Sequence, residues 1–212
     1  MKIKKVQNEN ISLRNVFASL DDLEKSELSK ELLKLLKEKH TLIEDKSWID
    51  GYNNRINLIL YNHGLSSSTG LKDYILVDFI EANNFLLNDR DSFYIFGHSL
   101  DNIYLTNGEL EIKTREKDLS GDYVMDFLFL HELARLDEKF TNDLLKKYFD
   151  GEPGRKFFRL LSFYTAVDCL DLITKYNSII DQVEKDRLGE KINYLFEIYE
   201  DFSEEYPLWY KD

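Results

Sequence analysis

Cysteine, proline and glycine are scarce in this chain, and each scarcity excludes something. Cys169 is the only cysteine, so no internal disulfide can form and no four-sulfur metal site can be built. A chain without disulfides suits a reducing compartment, and the expected location is cytoplasmic. Two prolines and nine glycines among 212 residues argue against collagen-like repeats, glycine-rich solenoids and disorder driven by those residues. Long apolar runs are missing too. The most apolar stretches, Asn57 to Tyr61 and Val124 to Leu130, fall far below the roughly 20 residues a bilayer requires, so no membrane partner is expected. The start, Met1-Lys-Ile-Lys-Lys-Val6, has the charge of a secretion signal but reaches polar Gln7 to Asn10 before any apolar run develops, and secretion is not expected.

Positive charge is also in deficit. Twenty-eight Lys and Arg face 40 Asp and Glu, a formal net charge of −12, which opposes approach to a polyphosphate or an anionic lipid surface. No nucleic acid partner is therefore expected, and the short basic runs Lys2 to Lys5 and Lys34 to Lys39 read as solvated faces.

What is present is helical periodicity. The chain reads as mainly α with a small embedded antiparallel β-hairpin, a single mostly helical domain over 1–212. Leu28, Leu32, Leu35 and Leu36 share one face of a helix over Ser19 to Lys39, with Ser19 or Asp21 as its N-cap. A second helix is predicted over Trp48 to Tyr61, with Ile49, Ile56, Ile59 and Leu60 inward and Gly64 as its left-handed stop. A third is predicted over Leu71 to Leu87, with Ile75, Phe79 and Leu86 inward. The period then shortens. Phe93 to Phe96 and Asn102 to Thr106 read as strands, and Asn107-Gly108 suits a tight turn into Leu110 and Ile112, so a hairpin region is placed over 93–114. Helices resume from Tyr123, over Asn142 to Phe149, over Arg155 to Asn177 and over Ser178 to Phe202, the last with a break near Gly189. In the Arg155 helix, Phe157 and Phe158 are not expected to face the same core.

The segment Phe96-Gly-His-Ser-Leu-Asp-Asn-Ile-Tyr-Leu-Thr-Asn-Gly, continued by Gly121-Asp122-Tyr-Val-Met-Asp126-Phe-Leu-Phe-Leu130, resembles the active-site stretch of aminoglycoside phosphotransferases and choline-kinase-like small-molecule kinases. In that family a His-Gly-Asp triplet precedes an asparagine, a hairpin, a metal-binding aspartate and a Gly-Asp pair opening a helix that bears a second aspartate. Asn102 matches the asparagine, Asn107-Gly108 the turn, Gly121-Asp122 the Gly-Asp pair and Asp126 the second aspartate. The resemblance implies a protein-kinase-like C-terminal lobe without a recognisable N-terminal lobe. The same register puts Gly97 where the family's catalytic base belongs and Thr114 where its metal-binding aspartate belongs. Phosphoryl transfer uses those carboxylates to orient the acceptor hydroxyl and to hold magnesium. No Gly-rich nucleotide loop precedes a strand, so no cofactor is implied.

His98, Asp101, Asn102, Asp122 and Asp126 are the candidate residual cleft. Asp122 and Asp126, four apart, would share one helix face and suit two metal ligands. The simpler reading is scaffolding: Asp122 caps exposed amides, and Asp126 bonds back to the loop near Gly97, as its family counterpart does. Asp101 and Asn102 then hydrogen-bond loop amides. No residue is assigned as catalytic, cofactor-binding or metal-binding. Cys169 reads as core, His40 and His63 as helix-end residues that need no chemistry, and Asp168 and Asp171 as a solvated face able to pair with Lys175. The acidic, aromatic tail over 203–212, with Phe202 just before it, offers Phe202, Tyr206, Trp209 and Tyr210 either as a protein-binding segment or as packing for its own helices.

The function expected is a noncatalytic, kinase-lobe-like protein acting on a protein partner, in a regulatory, immunity or anti-defence role in a bacterial or phage setting. Two alternatives stand beside it: a residual small-molecule phosphotransferase completed by a partner, and an unrelated helical scaffold protein.

Overall fold

Aspartates open three of the helices and one 3-10 segment, so part of the chain's acidity is spent on orphan main-chain amides. Asp21, Asp137 and Asp181 each accept an N–H from the first turn of the helix they precede, and Asp122 does so for the 3-10 turn that follows it. At Asp21 the arrangement is a full capping box. Its carboxylate accepts Glu24 N–H at 2.9 Å while Glu24 accepts Asp21 N–H at 3.1 Å. Of the two N-cap candidates, Asp21 is the one used; the Ser19 hydroxyl donates instead to the Val16 carbonyl.

The protein is described by a computed structural model covering residues 10–65, 71–96, 99–106, 109–112 and 119–211. The predicted turn at Asn107-Gly108 and the candidate residues Gly97, His98 and Thr114 lie outside the described residues. The described residues are mainly helical with two small antiparallel sheets, and they fall into two compact units.

The first unit takes in segments 1–45, 91–153 and 211–212. Its helices are α1 (Leu13–Val16), α2 (Asp22–Lys39), α5 (Leu130–Leu136) and α6 (Glu138–Tyr148). Its strands are β1 (Asn10–Ser12), β2 (Leu42–Ile43), β3 (Ser92–Tyr94), β4 (Ile103–Thr106), β5 (Glu109–Ile112) and β6 (Ser120–Gly121). The expected hairpin is β4 with β5, in the register Ile103 to Ile112 and Thr106 to Glu109. It is one part of a sheet ordered β1-β4-β5, while a second sheet is ordered β2-β3-β6. The additional strands escape a sequence reading because two or three residues are too few to show an alternation. On α2, Leu28, Leu32 and Leu36 are buried and Leu35 is only half-buried.

The second unit takes in segments 46–90 and 154–210. The helix α7 (Arg155–Tyr176) packs against α3 (Ser47–Leu65), α4 (Leu71–Asn83) and α8 (Gln182–Ile198). A helix covered on several sides buries more than one stripe. Phe157 and Phe158 are accordingly both buried. The structure departs from four expectations. Helix α3 does not stop at Gly64 but runs to Leu65, keeping His63 on its buried face with Trp48, Tyr52, Ile56 and Ile59. On α4 the inward side chains are Asp73, Leu76 and Ile80, whereas Ile75 is exposed, because Asp73 turns inward to meet His63 at 3.4 Å. Helix α8 is unbroken at Gly189, which lies beside the Tyr176 ring of α7. The last helix also ends early, at Ile198. Glu200, Asp201 and Phe202 then take φ values of 47°, 55° and 61°, a left-handed stretch that non-glycine residues rarely form. Phe202 supplies the compensation by packing among Phe79, Phe196 and Tyr199.

Candidate functional site

The first unit carries the segment singled out in the sequence. Beyond β3 the chain enters buried Ile95 and Phe96, and the Phe96 N–H points at the Asp126 carboxylate, 3.1 and 2.9 Å from its two oxygens. Asp126 sits in a 3-10 segment over Tyr123–Phe129 rather than in the α-helix expected from Tyr123. That change separates the two aspartates. At three residues per turn, positions four apart lie about 120° from one another, so Asp122 and Asp126 share no face. Asp122 is the N-cap, accepting Val124 N–H at 3.1 Å. Both aspartates are fully buried. Just before them, a side chain at Gly121 would fall 2.6 Å from Ile95 Cδ1 and 3.2 Å from Met125 Sδ, so glycine permits this close approach.

His40 completes the arrangement. It is the C-cap of α2, and its side chain is 2% exposed. Nε2 lies 3.1 Å from Asp126 Oδ2 and Nδ1 lies 2.8 Å from the Tyr148 hydroxyl. A carboxylate only accepts, so Nε2 carries the proton and donates to Asp126. Nδ1 is then left to accept from the Tyr148 hydroxyl. Burial raises the pKa of that phenol, and the neighbouring Tyr123 and Asp126 add to the effect, so the hydroxyl keeps its proton. The imidazole stands among the rings of Phe96, Tyr123 and Phe127. Asp126, His40 and Tyr148 thus form a hydrogen-bonded chain inside an aromatic shell, and it ties the ends of α2, β3 and α6 to the 3-10 segment.

Asp101 belongs to a second network. Ser99 caps a 3-10 turn over Leu100–Asn102 by accepting Asp101 N–H, and Asn102 N–H donates to the Ser99 carbonyl. The Asp101 carboxylate accepts from Arg14 Nε at 2.8 Å and Nη2 at 3.2 Å, and Nη2 also reaches Glu132 at 2.5 Å. Burial alone would weaken the charge on Arg14, but Asp101 and Glu132 outweigh it and hold the guanidinium pKa above its ordinary value.

Sequence reasoning singles out Asp101 and Asp126 but not the side chains that engage them. His40, Tyr148, Arg14 and Glu132 meet their partners across 86 or more residues, or, for Tyr148, through His40, and no local pattern marks such contacts. Among the described residues, no group of three or more His, Cys, Asp or Glu side chains is placed to hold a metal ion.

In the second unit, Cys169 is buried on α7, and burial together with Asp168 and Asp73 raises its thiol pKa. Asp168 and Asp171 pair with Arg55, and Asp171 also takes Lys175. The tail folds back onto its own helices. Phe202 and Trp209 are buried, Tyr210 is half-buried, and Tyr206 is 39% exposed. Tyr206 and Tyr210 both lie against Phe158. Comparison of the chain with family models, with curated proteins and with solved structures finds no match.

Proposed function

We propose that this chain is a noncatalytic protein, built like the C-terminal lobe of a small-molecule kinase, that acts by binding another protein. The observation that carries the reading is the commitment of the cleft carboxylates. Asp126 is engaged by the Phe96 amide and by His40, Asp122 by the Val124 amide, and Asp101 by Arg14. A carboxylate that orients a hydroxyl or coordinates magnesium must turn its lone pairs toward the substrate. Here the lone pairs serve the fold. The bond from Asp126 to the amide just before Gly97 is also the one the family resemblance implies, which supports a kinase-like origin for this loop. With glycine and threonine at the positions of the two working aspartates, the lobe lacks the groups for transfer.

Two measurements test this. Calorimetric titration with magnesium and ATP is expected to show no binding, and binding that disappears in Asp101→Asn or Asp122→Asn would overturn the reading. Affinity capture from the source cell is expected to recover one protein at stoichiometric level.

A further inference from the structure

The head of α7 runs against the overall charge of −12. Its first turn holds no acidic residue and its N-cap, Gly154, offers no side chain, yet Arg155, Lys156 and Arg159 all stand there. Cations at that end oppose the helix dipole, which favours negative charge. The two arginines share a single carboxylate. Arg155 holds Glu205 through Nε at 2.6 Å and Nη2 at 3.1 Å, and Arg159 Nε stands 3.4 Å from the same group. Two guanidiniums against one carboxylate leave positive charge over. The Arg155 side chain is 72% exposed. Beside it, the Arg159 guanidinium lies 5.6 Å from the Phe85 ring, and Phe85 is 55% exposed. Exposed Tyr206 follows Glu205 directly. Arginine and aromatic side chains concentrate at the centres of protein interfaces, where rigid rings bury large area at low entropic cost.

We infer that this surface docks an acidic linear segment of a partner protein, with carboxylates on Arg155 and Arg159 beside Glu205 and an apolar side chain against Phe85 and Tyr206. Charge complementarity selects this occupant. An inorganic polyphosphate carries no apolar group to place against the exposed Phe85 and Tyr206. A second copy meeting face to face would set the same cations against each other. Glu205 acts as the internal occupant of the two arginines, so it competes with the incoming acid. The inference rests on the protein-binding reading above and gives it a surface.

The test is selection of a displayed dodecapeptide library on the full chain, followed by fluorescence-polarisation titration of the selected peptides. Enrichment of Asp and Glu interleaved with apolar residues is expected. Arg155→Ala with Arg159→Ala should weaken binding about tenfold. Glu205→Gln, which frees the guanidiniums, should strengthen it about threefold; a merely structural tail contact predicts no gain. Should the double alanine variant lose its fold by circular dichroism, Arg155→Lys with Arg159→Lys replaces it, with an expected weakening of about threefold. Three results would overturn the inference: no acidic enrichment, equal affinity in the arginine variants, or tighter binding of inorganic phosphate or a DNA dodecamer than of the acidic peptides. A magnesium-ATP titration on the same preparations separates the two claims. Nucleotide binding removes the noncatalytic reading and leaves the surface standing, whereas failure of the peptides alone removes the surface.

Discussion

Replacing Asp126 by alanine removes the acceptor of a buried main-chain amide and the partner of a buried imidazole in one step. Two buried groups, the Phe96 N–H and the His40 Nε2–H, are left without a partner at about 1–3 kcal/mol each, so the expected loss for Asp126→Ala is about 4 kcal/mol. For a chain of this size each kcal/mol is worth about 2–4 °C, so the melting temperature should fall by about 8–16 °C. Asp126→Asn should be milder. Its carbonyl can still accept the Phe96 N–H, and its amide can donate to Nε2 if the imidazole proton moves to Nδ1 and the Tyr148 hydroxyl becomes the acceptor. That exchange sacrifices a charge-assisted bond and should cost about 1–2 kcal/mol. Thermal unfolding by far-ultraviolet circular dichroism gives the stabilities, and hydrogen exchange locates the effect, with faster exchange expected first in peptides containing Phe96. A loss below about 1 kcal/mol for Asp126→Ala, with Phe96 exchange unchanged, would refute the assignment of Asp126 to the scaffold.

Three other outcomes follow from the packing and the charges. Glu200→Gly should raise stability by about 1 kcal/mol, because glycine meets no steric penalty at the φ of 47° that glutamate holds; an unchanged or lower denaturation midpoint would argue against strain there. Ser162→Ala should also stabilise, by about 1 kcal/mol, since the buried Ser162 Oγ finds no hydrogen-bond partner among the described residues; a destabilised variant would show that the hydroxyl is satisfied. The pH profile should fall on both sides. Burial raises the pKa values of Cys169, Tyr148 and Tyr199, so their contribution is complete below the unfolded pKa values and is lost once the unfolded chain ionises, above about pH 9. Burial opposes the charge on Asp137, but Lys25 and the Phe140 amide outweigh it and lower the carboxyl pKa; Glu205 is lowered first by its bond to Arg155. The stability these two provide is present above the ordinary carboxylate pKa of about 4 and disappears as pH falls through their folded values. Melting temperatures flat from acid to alkaline pH would contradict both assignments.

Local chemistry was legible in the sequence and distant chemistry was not. The cap at Asp21, the β4–β5 hairpin and the inward leucines of α2 each depend on residues a few positions apart, within reach of pattern reasoning. The cap at Asp122 is equally local, and it was recognisable from the Gly-Asp pair. The α4 face was misjudged because the inward residue is a charged one: Asp73 turns in toward His63, and hydrophobic periodicity alone assigns such a side chain to solvent. The end of the last helix was misjudged for a tertiary reason, since burial of Phe202 among three rings bends the chain through conformations its own residues disfavour. His40 illustrates the same limit at the candidate site. At the end of a helix, an imidazole is adequately explained by the dipole, and only the fold brings Asp126 and Tyr148 to its two nitrogens.

The involvement of a main-chain amide makes this network different from an ordinary buried ion pair. Such a pair is often replaceable by apolar side chains at no net cost, because both charges leave together. Asp126 and His40 cannot be removed so cleanly, since the Phe96 N–H remains when both side chains have gone. A double-mutant cycle exposes the difference. His40→Ala should cost about 3 kcal/mol through lost packing against Phe96, Tyr123 and Phe127 and the weakened support of Asp126. The double variant should cost less than the two single variants together by about 1–3 kcal/mol, the coupling expected of groups in one network. It should nevertheless remain well below the parent, by at least the roughly 1–3 kcal/mol of one orphaned amide. Strict additivity would mean that His40 and Asp126 act independently despite their 3.1 Å contact. Full recovery in the double variant would mean that the Phe96 amide finds another acceptor, and the claim that Asp126 is held in place to fix this loop would then fail.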